Sequence, residues 1–442
     1  MIDRQRLASV RGAELDRFAA LRPRSAALAR DAAGLMPRGV PQSWMALLYD
    51  HPLLFVSEGR GSRFTDVDGH EYADFNIADT SAFCGHAPEP TQAAVADRLA
   101  RGGQFLLPVA DAAAVARELG RRYGLPAWQF TLAATTANVE VFRLARYATG
   151  RTDVVLFDGH YHGHADELQA AGEPGATVPE NAGIPPDSVA HVRLVPFNDL
   201  DALEAAVRDE QVACVLAEPG MTNNQGVIQP DDEFHAALRR VTAETGTLLV
   251  LDETHTQICG PGGLTARWGL EPDLVTLGKS IGGGVPVGAY GMTPALRATM
   301  ESGDWIATGG TLLGSALQMA ACRATLEHVL VDDAYERAAE LGSRLADGIE
   351  RVAADAGLPW AAHRLYPRSG YSFSGTLPRN AAEARADLDP ELWSAWRAFA
   401  ANRGVWEAID GAGPAASVAT GDADVDRYLD VLAGFVGAVT PA

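Results

Sequence analysis

The chain has 442 residues, of which 47% are hydrophobic and 21% charged, enough for two or three units of roughly 100–200 residues and a sizeable core. That balance excludes a disordered chain, a collagen or a coiled coil. A net charge of −21, with no run of basic residues, argues against nucleic acid or anionic lipid as a partner.

Taken in order, the first residues (MIDRQRLASVRGAELDRF) carry charge throughout and lack the apolar stretch of a signal peptide. Residues 3–33 are charged and Ala-rich with scattered Leu, which predicts one or two surface helices. Residues 54–75 alternate in polarity around Asp68-Gly69, a strong hairpin signal. Helices are expected near 90–101 and 110–123. From residue 128 short apolar runs alternate with Ala-, Leu- and Arg-rich helical stretches: strands at 129–132, 153–157, 212–217, 247–251 and 274–277, helices at 136–149, 199–209 and 231–245. Buried runs of four to six residues separated by helices predict an α/β fold, a mostly parallel sheet covered on both faces. Two long helices follow at 315–330 and 334–356, then an irregular α+β remainder. The nearest thing to a linker is the Gly/Pro-rich stretch 171–186. The resulting division is 1–75 as the N-terminal segment of a small domain, 76–312 as the large α/β domain, and 313–442 as the C-terminal part of the small domain. Cys84, Cys214, Cys259 and Cys322 are widely spaced and read as buried small hydrophobes in a reduced compartment. No apolar run approaches the ~20 residues that span a bilayer, so the expectation is a soluble cytoplasmic protein.

Ligands of open α/β sheets sit outside the carboxyl ends of the strands, so the residues just past each strand matter most. After 129–132 come Ala133, Ala134, Thr135 and Thr136, opening a helix; this is either an anion site at a helix N-terminus or a plain N-cap at Thr135 or Thr136. After 153–157 comes Gly-His-Tyr-His-Gly-His (159–164). The flanking glycines favour a loop over a helical metal site, and Tyr161 offers a ring for stacking on a planar ligand. Glu218 and Asp252 each follow a buried strand, as a partner for a cation or protonated heterocycle or as a cap. After 274–277 comes Gly278-Lys279-Ser280; the GxxxxGK spacing of a phosphate loop is absent, because Asp273 stands where the first glycine belongs. Of the 36 cationic residues 35 are arginine, and Lys279 is the single lysine. Arginine serves wherever a surface charge suffices, whereas only an amine can lose its proton and attack a carbonyl. A Schiff-base lysine with a carboxylate nearby is the combination that pyridoxal phosphate requires.

With DVDGHEYADF (66–75), YHG (161–163), EP (218–219), LDETHT (251–256), LGKSIGGGVPVGAYG (277–291) and GGTLLGSALQMAA (309–321) in this order, the chain resembles the class III aminotransferases of pyridoxal-phosphate fold type I, in the branch of glutamate-1-semialdehyde aminomutase. The resemblance implies that Lys279 holds pyridoxal 5'-phosphate as a Schiff base and moves the substrate proton. It implies that Asp252 pairs with the ring nitrogen, that Tyr161 stacks on the ring, and that His255 contacts its phenolic oxygen. Ala134 and Thr135 would bind the phosphate, Glu218 would stand among the cofactor-binding residues, and Thr311 would reach the phosphate of a partner subunit in a homodimer. No metal is implied. The chain departs from the pattern in two places. The family's SGTEA is Ala133-Ala134-Thr135-Thr136-Ala137 here, and residues 404–420 lack the arginine that pairs with a substrate carboxylate in relatives using glutamate. The expected activity is an aminotransferase, moving an amino group between an amine or amino acid and an oxo acid or aldehyde. The alternative is an aminomutase or amino-acid epimerase, and a third reading is a non-catalytic pyridoxal-binding protein. Trp44, Phe83, Tyr161 and Tyr371 are candidates for an apolar substrate pocket or for ordinary core.

Overall fold

The computed structural model describes residues 1–173, 175–222, 226–407 and 413–441. The chain forms two compact units, Glu89–Glu336 with Pro378–Arg385, and Met1–Pro88 with Arg337–Leu377 and Ala386–Ala442.

The larger unit is built on a seven-stranded sheet in the order Ala127–Thr131, Gly288–Met292, Leu274–Leu277, Leu248–Asp252, Val212–Ala217, Asp153–Phe157, Val192–Val195. All of these run parallel except Gly288–Met292, which is antiparallel to both of its neighbours. Val212–Ala217 (VACVLA) is buried at every position, as expected of a strand covered on both faces. The helices Ala134–Thr149 and Phe234–Thr245 end at Gly150 and Gly246, whose left-handed backbone closes the last turn and frees the chain to enter the next strand. This geometry gathers the carboxyl ends of six strands on one edge of the sheet.

Four strands of the larger unit were not foreseen from the sequence. Val192–Val195 is a four-residue edge strand interrupted by Arg193, which reaches Asp153 at 2.6 Å and Asp209 at 2.8 Å. Gly288–Met292 contains two glycines, a residue type depleted in strands. Within the Gly/Pro-rich stretch, Ala170–Glu173 and Ala176–Pro179 pair as an antiparallel hairpin rather than forming a linker.

The smaller unit contains the foreseen hairpin, Arg63–Asp66 with Glu71–Asp74, turning at Gly69 with φ +92°. Its core is aromatic: Trp360, Tyr371, Trp393, Trp396, Tyr428 and Phe435 are all buried together. Tyr371 is therefore core, and so is Phe83, whereas Trp44 is exposed. All four cysteines are buried thiols. Among the described residues no helix is long and apolar enough to cross a membrane.

The glycines of the antiparallel strand have a packing reason. A Cβ on Gly291 would lie 2.6 Å from the Trp128 ring of the adjoining strand, so close that the ring or the strand must shift. Gly291→Ala should therefore lower stability by about 1–3 kcal/mol, the usual cost of overpacking. The check is the urea unfolding midpoint; an unchanged midpoint would mean that the strand and the Trp128 ring separate freely.

Candidate active site

Asp252 ends the strand Leu248–Asp252 and is buried. Its Oδ2 accepts from His162 Nδ1 at 2.8 Å and from Asn138 Nδ2 at 3.0 Å, and its Oδ1 accepts from the Thr254 backbone N–H at 3.0 Å. Burial alone would raise its pKa. The hydrogen bond and charge of His162, with Thr254 and Asn138, outweigh that and hold the carboxyl below the ordinary range. Asp252 is thus an ionised group in a dry place, suited to pair with a cationic heterocycle.

His162 lies in a loop, as its glycine neighbours suggested. It stacks on His160 at 5.1 Å, and Asn138 ties its carbonyl at 2.8 Å. His160 lies within hydrogen-bonding reach of the Phe157 and Leu168 carbonyls, and His164 is exposed. Among the described residues no group of three or more His, Cys, Asp or Glu is placed to hold a metal ion. Tyr161 keeps 44% of its surface exposed, next to the buried His162. Gly163, at φ +117°, lets this loop close on the helix beginning at Ala134, since a Cβ there would fall 2.2 Å from Thr135 Oγ1.

The helix start differs from the plain N-cap at Thr135 or Thr136. The cap is Ala133, which has no side-chain oxygen to offer, and Ala134 and Thr135 form the first turn. A 16-residue helix with its first N–H groups uncapped by any side chain is a fitting place for a phosphate. On the same helix Glu140, Arg143 and Tyr147 bind the backbone of Gly309, Ala307 and Asp304 and so hold the segment that leads to Thr311. Thr311 itself is exposed, and its carbonyl accepts from the Gln104 side chain.

Glu218 follows Val212–Ala217 and is buried. Its Oε2 accepts from the Thr222 hydroxyl at 2.8 Å and the Thr222 N–H at 3.2 Å, while Oε1 has no partner among the described residues. Burial pushes this carboxyl up to about 7, with Asp252 adding to the rise and His162 opposing it. Lys279 follows Leu274–Leu277 with φ +52°, a strained backbone for a residue with a side chain. Its Nζ lies 2.7 Å from Nε2 of the buried His255.

The structure thus brings Lys279, His255, Asp252, Glu218, Tyr161, Ala134 and Thr135 to one edge of the sheet. Sequence reasoning missed Asn138 and the part played by His162. Asn138 lies one turn into the helix from Ala134, so its position on the site-facing side was the available signal. Part of the arginine-free stretch 404–420, residues 408–412, lies outside the described residues.

The arrangement offers an amine nucleophile, a buried anion and an anion-binding helix start, a set suited to a phosphorylated heterocyclic aldehyde. The Aminotransferase class-III family model matches residues 45–358. The chain is 36% identical over 370 residues to a glutamate-1-semialdehyde 2,1-aminomutase of Desulfosudis oleivorans, covering 82% of this chain and 86% of the relative. A solved glutamate-1-semialdehyde-aminomutase from Pseudomonas aeruginosa PAO1 superposes with TM-score 0.93 at 38% identity over 99% of both chains, and a variant of it is solved in complex with PMP. An omega-transaminase from Sphaerobacter thermophilus superposes with TM-score 0.86 at 28% identity, over 94% of this chain and 97% of the other.

The buried carboxyl of Glu218 gives a pH signature. Folding raises its pKa, so its stabilising contribution is complete in acid and is lost as pH climbs through about 7. Glu218→Gln cannot ionise and should gain on the parent as pH rises from about 5 to about 8, by on the order of 3 kcal/mol. Urea unfolding of cofactor-stripped protein measures this; a stability difference that stays constant with pH would contradict a protonated Glu218.

Proposed function

The chain belongs to the class III aminotransferase family, and from that premise we propose that it is an aminomutase, moving an amino group between neighbouring carbons of a single substrate. Its cofactor is pyridoxal 5'-phosphate, which when bound supplies an electron sink for the carbon that loses its proton. The residues fit that group: the charge of Asp252 survives burial, and the helix at Ala134 begins without a side-chain cap.

In this reading Lys279 is the point of covalent attachment. Its Nζ, when free, would serve as the base and acid that carries the proton between the amine-bearing carbon of the substrate and the cofactor carbon on the other side of the nitrogen. Asp252 would pair with the ring nitrogen, and His162 and Asn138 keep Asp252 charged for that task. Tyr161 would stack on the ring, the Ala134 N–H and Thr135 hydroxyl would hold the phosphate, and His255 would contact the phenolic oxygen. Glu218, whose carboxyl is pushed up to about 7, would be protonated below that pH and would then add no second negative charge to that of Asp252. Thr311 serves the phosphate of a second copy in a homodimer. Support for the dimer comes from the apolar surface near Thr311, where Trp305 is 83% exposed and Phe105, Leu106, Leu107 and Leu312 are also uncovered.

The observation that carries the aminomutase reading over transamination is the similarity to relatives named aminomutase across more than four-fifths of the chain. Transamination is the second reading, favoured by the likeness to the omega-transaminase. Glutamate 1-semialdehyde supplied alone tests both. A mutase converts it over many turnovers into the isomer with the amine on the former aldehyde carbon. A transaminase stops after about one equivalent per site unless pyruvate or 2-oxoglutarate is added. Lys279→Ala should leave no cofactor fixed by borohydride and lower turnover by about a thousandfold or more; substantial residual turnover would remove Lys279 from the mechanism.

A further inference from the structure

We propose that His255 is the post on which the Lys279 amine docks whenever it is not covalently engaged, and that Gln257 is the positioning residue that sets the post. This rests on Lys279 being the reacting amine. The 2.7 Å contact joins Nζ to His255 Nε2. An ammonium can only donate, so Nε2 accepts from it. When the amine is neutral, the same contact holds with Nε2–H donating to the nitrogen lone pair. Imidazole can therefore partner the lysine as acceptor or as donor, before and after each proton transfer, whereas an ionised carboxylate could only accept and an apolar side chain could do neither.

The two residues follow different strands, so something must register them. Leu248–Asp252 and Leu274–Leu277 run side by side, with Asp252 opposite Thr276, and the Glu253 N–H donates to the Thr276 carbonyl at 3.0 Å. Beyond that point a side chain takes over from the ladder. Gln257 Nε2 donates to the Thr254 carbonyl and to the Gly278 carbonyl, each at 2.8 Å. These are the carbonyls immediately before His255 and Lys279, so one buried amide spans both turns. Glu253 anchors the segment from below. Its Oε1 accepts from the Thr265 N–H and hydroxyl at 2.5 and 2.6 Å, and its Oε2 accepts from the Leu264 N–H at 3.2 Å and the Thr256 hydroxyl. The left-handed backbone at Lys279 is a conformation that persists only when its surroundings over-determine it, and the Gln257 bond to Gly278 is part of that determination. The other titratable groups along this edge include Tyr161, Glu253, Asp252, His162 and Glu218, and the last three interact with one another electrically.

Because the chain has one lysine, isotope-labelled lysine gives a single side-chain signal by NMR, and that signal is Lys279. The measurement uses enzyme loaded with pyridoxamine 5'-phosphate, which leaves the amine free. In the parent the signal should be that of an ordered, hydrogen-bonded amine. In His255→Leu it should move toward that of an unrestrained lysine, with kcat about tenfold lower and KM little changed. His255→Gln, whose amide can present either an acceptor or a donor, should restore most of both. Gln257→Met should loosen the signal in the same direction and replaces His255→Leu if that variant does not fold. A lysine signal identical in the parent, His255→Leu and Gln257→Met overturns the proposal. If instead borohydride fixes no cofactor on Lys279 in the parent, the functional assignment fails, and the docking of the amine on His255 is still read from the NMR signal by itself.

Discussion

Removing a carboxylate from water costs several kcal/mol unless its oxygens find partners, and at Asp252 those partners come from three separate places. Asn138 reaches it from a helix, His162 from the loop after the next strand but one, and the Thr254 N–H from its own turn. Each donor imposes conditions further out. His162 can reach Asp252 only because the 158–163 loop folds back, and that loop packs on the helix only because residue 163 has no Cβ to strike Thr135. Asn138 fastens the same loop through the His162 carbonyl. Keeping one buried charge therefore fixes the relative places of a strand end, a loop and a helix start, and these are the places where a ring, its nitrogen and its phosphate would be held.

The neighbouring strand shows the opposite solution to the same problem. Glu218 leaves Val212–Ala217 beside Leu248–Asp252, is as dry as Asp252, and has only Thr222 for company on one oxygen. Burial then wins and the carboxyl holds its proton to about pH 7. Two acids on adjacent strand ends thus avoid placing two negative charges side by side, because the surroundings push their pKa values apart. Residue type alone could not have assigned these states; the number of donors aimed at each oxygen does.

What was legible in the sequence was local. The hairpin at Asp68-Gly69, the apolar runs of the parallel strands, and the residues just past them needed only neighbours in the chain to be recognised. Asp252 and Lys279 were found this way, as residues following buried strands. The strand Gly288–Met292 was not, because its glycines answer to the Trp128 ring across the sheet rather than to strand propensity. His162 is separated from Asp252 by 90 positions and Gln257 from Gly278 by 21, and no pattern along the chain links either pair. The helix cap at Ala133 was hidden for a different reason: two threonines stand in the right region, and only the geometry shows that the cap falls two residues before the first of them.

The lone lysine connects these two levels. Elsewhere arginine meets the need for a cation, often by forking between two acids, as Arg364 does with Asp347 and Glu350 and Arg344 with Asp422 and Asp426. A guanidinium is well suited to that task, since it keeps its charge and its planar fork. Beside His255 the same properties would be a fault. A group that never yields its proton cannot exchange one with a carbon, and it could meet the imidazole only as a donor. The preference for arginine therefore stops at the one position where the proposed function calls for a nitrogen charged at one moment and neutral at the next, and the partner at that position is a side chain able to bond both forms.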